Sequence, residues 1–271
     1  MIKQAIIPLA GLGTRLLPLT SVFAKELLPI NGKPGLEYIL DECIESGIKE
    51  VIFIISKKKK MIKDYFYNDK LYKKIIKNKK DPRVIIEYKK ILKYKKMIKF
   101  VYQDKPLGTG DAVLKTKKFI KDKYFLMLLP DDLIIKKNCS KSMIATHKKF
   151  NSPVMASMKV NKNEVSRWGI YDIKKKIDNM NFIIKSVIEK PTKKQAPSNH
   201  AVIGRYILPK TIFNKLKNLK PSKGGEIHIT DAIQSLIKDD NKFIGHNFTG
   251  KYLDCGTMNG YINSNMEIAK K

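Results

Sequence analysis

Three short, almost unbroken apolar runs, residues 5–9, 51–55 and 125–129, constrain this chain more than any other feature. A strand with apolar side chains on both faces must be covered on both faces, which is the condition of the central strands of a parallel sheet. Between the runs the periodicity changes. Leu36, Ile39, Leu40, Cys43 and Ile44 fall on one stripe of an amphipathic helix, and Gly47 is placed to end it. A second helix is predicted over 110–120. This alternation predicts an α/β fold: an open, mostly parallel, Rossmann-like sheet with helices on both faces, its ligand lying beyond the C-terminal strand ends.

From residue 154 onward the pattern shifts to crowded strands, 154–160, 169–173, 183–189 and 201–208, with few helices. They predict a smaller β-rich part. The segment 57–99 reads as helices inserted into the wiring of the sheet, with Tyr65, Phe66, Tyr72, Ile75 and Ile76 offering apolar contacts. At the C-terminal end Ile262, Met266 and Ala269 share a helical spacing and are expected to pack back on the body. No internal repeat or Pro/Gly/Ser-rich linker divides the chain. One domain over 1–271 is expected, with 1–135 mainly one functional half and 136–271 the other.

The formal charge of +30 suggests a nucleic-acid or anionic-membrane partner. The residue types argue otherwise. There are 51 lysines and only four arginines, whereas surfaces that fork phosphates or read bases favour arginine's planar donors. Seventeen of the lysines fall within 57–99, where a solvated face outweighs an RNA-binding arm. No stretch reaches the roughly 18 apolar residues of a membrane span, so no membrane partner is expected. The N-terminal apolar run is too short for a secretion signal and reads as a first strand. Cys43, Cys139 and Cys255 are odd in number, far apart and without zinc spacing, which points to a reducing cytoplasm.

The loop after the first run, Ala10-Gly11-Leu12-Gly13-Thr14-Arg15, has the ingredients of a phosphate cradle. Its glycines let backbone N–H groups approach phosphate oxygens, and Arg15 adds charge-assisted bonds. It is not a P-loop, because no Gly-Lys-Ser/Thr closes it, and it lacks the third glycine of a dinucleotide fingerprint. Alone, it is as well explained by a plain turn. Ten residues beyond Arg15 stands Lys25-Glu26-Leu27-Leu28-Pro29, which puts a lysine within reach of the same phosphates.

With that pairing the chain resembles the sugar-phosphate nucleotidylyltransferases, most closely the bacterial UTP:glucose-1-phosphate uridylyltransferases. The resemblance runs over nearly the whole chain and is weakest over 57–99. It implies a nucleotidyltransferase domain of glycosyltransferase-A-like type. Ala10, Gly11, Gly13, Thr14 and Glu26 would bind the nucleotide, and Arg15 and Lys25 would neutralise the triphosphate. Gln103 with Gly108 resembles the base-reading segment, since a glutamine amide offers both a donor and an acceptor to an imide edge. Asp131, in Leu129-Pro130-Asp131-Asp132, and Asp254, in Tyr252-Leu253-Asp254-Cys255-Gly256-Thr257, match the family's Mg²⁺ side. Two carboxylates with substrate oxygens suit that ion. Gly169 and the pair Glu189-Lys190 resemble the hexose phosphate site, with Lys190 on the attacking phosphate, and 226–231 is expected to shape the hexose side.

Each of these residues has a plainer role in isolation: a surface glutamine before a helix, an aspartate capping the segment after its strand, a strand end at Glu-Lys-Pro. Two positions depart from the family pattern, Ala24 where proline is usual and Asp111 where histidine is usual. The resemblance implies UTP and glucose 1-phosphate as partners and a homo-oligomeric state. A relative using dTTP or another sugar 1-phosphate is the neighbouring alternative, and an inactive basic RNA-binding or scaffold protein is the alternative of another class.

Overall fold

A computed structural model describes residues 2–79, 81–221 and 225–270. Strand β1 (Gln4–Pro8) lies between β4 (Glu50–Ile55) and β6 (Tyr124–Leu128), with β5 (Ile98–Tyr102) outside β4, and these four run parallel. Ile6, Ile7, Ile52, Phe53, Leu126 and Met127 are all fully buried, as the unbroken apolar runs require. Two short pairs, β2 (Pro29–Ile30) with β3 (Lys33–Pro34) and β7 (Asp132–Ile135) with β13 (Lys251–Asp254), stand apart from this sheet.

The sheet is neither open nor mostly parallel. Strand β11 (His200–Pro209) runs antiparallel to β6 and to β8 (Val154–Lys159); β8 pairs with β12 (Ile244–Asn247), β12 with β10 (Asn181–Glu189), and β10 with β9 (Gly169–Lys176). The pair Ala201 and Ile170 then joins β9 back to β11, closing five strands into a ring. Of the nine pairings in this sheet among the described residues, four are parallel. Register shifts in β10 against β9 and in β11 against β8 supply the extra coil that closure needs. A local apolar pattern carries no mark of such a join.

Helices cover both faces, as expected. On one side lie α1 (Gly35–Glu45) and α6 (Cys139–Phe150), with Leu36, Ile39, Leu40 and Cys43 buried as the stripe predicts and Ile44 half-buried. On the other lie α5 (Gly108–Leu114), α7 (Ile212–Asn218) and α8 (Ile229–Lys238). Helix α5 begins before Gly110 and ends at Leu114, short of the span predicted. The insert between β4 and β5 is helical: α2 (Lys60–Tyr67), α3 (Lys70–Lys79) and α4 (Pro82–Met97). Phe66 is buried between Phe53 and Tyr94, while Tyr72 stacks on Tyr88. The last helix, α9 (Met258–Ala269), packs back through Ser264 and Ile268; Ile262, Met266 and Ala269 face outward, contrary to the expectation from spacing. Cys43, Cys139 and Cys255 are buried free thiols. Among the described residues no helix is long and apolar enough to cross a membrane.

Candidate active site

The C-terminal ends of β1, β5 and β6 open into a cleft of about 520 Å³. After β1 the chain turns at Gly13, whose φ of +73° is left-handed, and Thr20 donates to the Gly13 carbonyl at 2.8 Å to close the loop. Ala10, Gly11, Gly13 and Thr14 line the cleft with Lys25 and Glu26. Arg15 reaches outward, its side chain 64% exposed, with Nη2 3.6 Å from Asp131 Oδ2.

Lys25 Nζ donates to Asp131 Oδ2 at 2.7 Å. Burial opposes the lysine's charge, but Asp131 and Glu26 outweigh it and hold its pKa above the ordinary value. Burial likewise opposes ionisation of Asp131, yet Lys25, with Arg15 beyond, keeps that carboxyl below its usual range. The buried Glu26 carboxylate is taken up at 2.7 and 2.8 Å by Lys59, whose own pKa burial depresses despite this partner. Glu26 therefore forms cleft wall with its charge already matched. Lys59 belongs to a run of four lysines that reads as solvated face, and nothing in its local sequence separates it from its neighbours.

Asp131 is held by groups distant in sequence. Arg205, fully buried, pairs with Glu42 and donates to the carbonyls of Leu129, Gly204 and Asp132, which fixes the turn carrying Asp131. Asp132 accepts from Tyr252 Oη at 2.6 Å and Gly204 N at 2.8 Å, and burial, reinforced by the Asp131 charge, pushes it up to about 6. Pairing of β13 with β7 sets Asp254 opposite Asp132, and Gly256 N and Thr257 Oγ1 orient its carboxylate. A Cβ placed on Gly256 would stand 2.7 Å from Asp131 Oδ2, 3.0 Å from Arg15 Nη2 and 3.3 Å from Asp254 Oδ1. Both acids and the guanidinium therefore come together at Gly256. Asp131 and Asp254 are the two carboxylates that could hold a hard divalent cation completing its shell from substrate and water. Among the described residues no group of three His, Cys, Asp or Glu side chains could hold a metal without such help.

At the far end of the cleft Gln103, nearly buried, lies beside Gly108, with Pro8, Pro106, Ala112 and Leu129 as apolar walls. The segment 226–231 packs on the start of α5: Gly110 N donates to Ile227 O and Ile227 N to Leu107 O, and Glu226 lines the same cleft as Gln103. Gly169 and Glu189 are paired across β9 and β10, and Lys190, at φ +45°, donates its N–H to Trp168 O. Trp168 meets Tyr252 edge-on at 5.5 Å, tying this hairpin to Asp132. Gly169, Glu189, Lys190, Arg15 and Asp254 do not line the 520 Å³ cleft. The sequence reading missed Lys59, Arg205, Asp132 and Gly256.

A family model described as Nucleotidyl transferase matches residues 4–271. The chain is 36% identical over 270 residues to the UTP--glucose-1-phosphate uridylyltransferase of Bacillus subtilis, covering 99% of this chain and 91% of that protein. A crystal structure of UDP-glucose pyrophosphorylase complexed with UDP-glucose superposes with a TM-score of 0.87 at 34% identity, covering 100% of this chain and 99% of that one. A UTP-bound UGPase from Acinetobacter baumannii superposes at 0.89 with 32% identity, covering 99% and 93%. The cleft at the strand tips and these likenesses, which span the chain, together place it in the nucleotidyl transferase family.

Proposed function

We propose that this protein transfers a uridylyl group from UTP to glucose 1-phosphate, giving UDP-glucose and pyrophosphate. The observation that carries the reading is one continuous cleft with an apolar-walled end at Gln103 and a charged end where Lys25 meets Asp131. The base lies at Gln103 and Gly108, and the triphosphate runs along 10–15 toward Lys25. Gly169, Glu189 and Lys190 receive the sugar phosphate, so the first half serves the nucleotide and the second the sugar.

An oxygen of the sugar phosphate bonds to the α-phosphorus of UTP in line, and the bond from that phosphorus to the bridging oxygen breaks, releasing pyrophosphate. Lys190 orients the attacking phosphate, while Lys25 and Arg15 neutralise charge that grows on the triphosphate. Asp131 and Asp254 would hold Mg²⁺, which when bound would supply positive charge that offsets the repulsion between the triphosphate and the incoming anion. No protein nucleophile is needed; positioning and charge suffice.

Pyrophosphate release is measured with UTP, Mg²⁺ and a panel of sugar 1-phosphates. Turnover with glucose 1-phosphate, lowered about 10²-fold or more in Lys25→Ala, supports the reading. Turnover of Lys25→Ala within about tenfold of wild type removes Lys25 from the chemistry. Release only with another sugar 1-phosphate reassigns the substrate.

A further inference from the structure

We infer that Asp111 is a positioning residue that locks the amide of Gln103, so that the cleft accepts a base bearing an imide N–H and refuses cytosine. The inference rests on the nucleotide reading above and sharpens it. Gln103 Nε2 donates to the Gly108 carbonyl at 3.0 Å and to Asp111 Oδ2 at 2.8 Å. Both amide hydrogens are therefore spent inside the protein, on two oxygens that can only accept. The amide cannot turn over without setting oxygen against oxygen. Among the described residues nothing donates to Gln103 Oε1, and Gln103 lines the cleft, so the one polar capacity it offers a ligand is as an acceptor.

The remaining geometry holds Asp111 to this task. It sits in the first turn of α5, and Lys115, one turn on, faces its other oxygen at 3.6 Å. Gly108 and Gly110 are in turn clamped by residue 227, so neither partner of the amide is free to move away. Uracil and thymine present N3–H to an acceptor. Cytosine presents a bare N3 lone pair there, leaving two acceptors facing each other in a nearly dry corner. A site built around such a hydrogen bond discriminates strongly against the analogue that lacks it.

The test substitutes Asp111→Asn, which keeps the shape but can present an N–H₂ where the carboxylate only accepts, so that the Gly108 carbonyl alone still opposes turnover of the Gln103 amide. Turnover and equilibrium binding are measured with UTP, dTTP and CTP, with thermal unfolding alongside. Wild type is expected to favour UTP over CTP by about 10³-fold or more, and Asp111→Asn to cut that ratio by about tenfold or more. The UTP to dTTP ratio should stay put, because both bases carry the imide. A UTP to CTP ratio within about twofold of wild type in the folded variant overturns the lock, as does an equal loss for all three nucleotides. Wild-type protein that binds UTP but releases no pyrophosphate defeats the proposed reaction and still lets binding decide on Asp111; wild type that binds CTP as tightly as UTP overturns the lock outright.

Discussion

Around the parallel half of the sheet and its seam with β11, buried charges are paired: Lys25 with Asp131, Lys59 with Glu26, and Arg205 of β11 with Glu42, beside neutral Gln4, Gln103 and Thr116. Arg205 apart, the buried polar side chains on the strands of the five-strand ring are neutral. His246 shares hydrogen bonds with Asn181, Thr146 and Ser142, and His200 with Asn247 and Ser157. Buried ion pairs contribute little net stability against apolar replacements, so stability alone does not account for the charges gathered near the cleft. The ring's neutral networks fix register and hold the β9–β10 hairpin in place.

The most severe way to break this contrast is at the seam. Arg205→Met leaves Glu42 charged and without its cation, with only Ser140, among the described residues, still donating to its carboxylate, and is expected to cost about 3–5 kcal/mol in denaturant unfolding. Adding Glu42→Met should restore most of that stability, and a double variant as weak as the single one would deny the pair its cost. Next comes Asp131→Asn, expected to lower turnover about 10²- to 10³-fold, through loss of both a carboxylate for the cation and the Lys25 partner, with a far smaller change in stability.

The ring supplies a milder test. Burial lowers the pKa of His246, and Asp178 only partly offsets this; burial lowers that of His200 as well. Between each depressed folded pKa and the unfolded value near 6.5 the unfolded chain binds more protons, so stability rises with pH across that window and falls as acid is added. Unfolding curves at a series of pH values below 6.5 should show this slope, reduced in His246→Gln. The smallest effect belongs to the insert: Lys74→Gln, Lys77→Gln and Lys89→Gln alter exposed side chains and should each change stability by no more than about 0.5 kcal/mol. Turnover should not respond. A marked loss of activity in this triple variant would give the lysine-rich face a role in the reaction.

Which residues the sequence reveals depends on how far away their partners lie. Gly11, Gly13 and Lys25 act within one loop, and their spacing carries the signal. The stripe of α1 is legible because burial on a helix repeats locally. Arg205 meets Glu42 across 163 positions and Tyr252 meets Asp132 across 120, so no window contains either pair. Gly256 matters because two carboxylates from different elements aim at it, which its neighbours in sequence do not report. Ring closure turns on bulges and the pairing of Ala201 with Ile170. The outward turn of Ile262 and Met266 has a similar cause: Ser264, a small polar residue, takes the place against the body together with Ile268.

Strand β11 belongs to both constructions. Near Arg205 it hydrogen-bonds to β6, and at Ala201 to β9, with β8 along its other edge. The separation between the Asp131 turn and the Gly169 hairpin is therefore counted in peptide units along a single strand. Such a frame works as a fixed gauge: bringing two substrates to an in-line angle cannot rely on one half rocking against the other without tearing ladder hydrogen bonds, and is left to the loops at the rim. One residue inserted between Ala201 and Arg205 would put the two ends of the gauge out of phase, rotating one set of side chains to the wrong face while leaving every site residue intact.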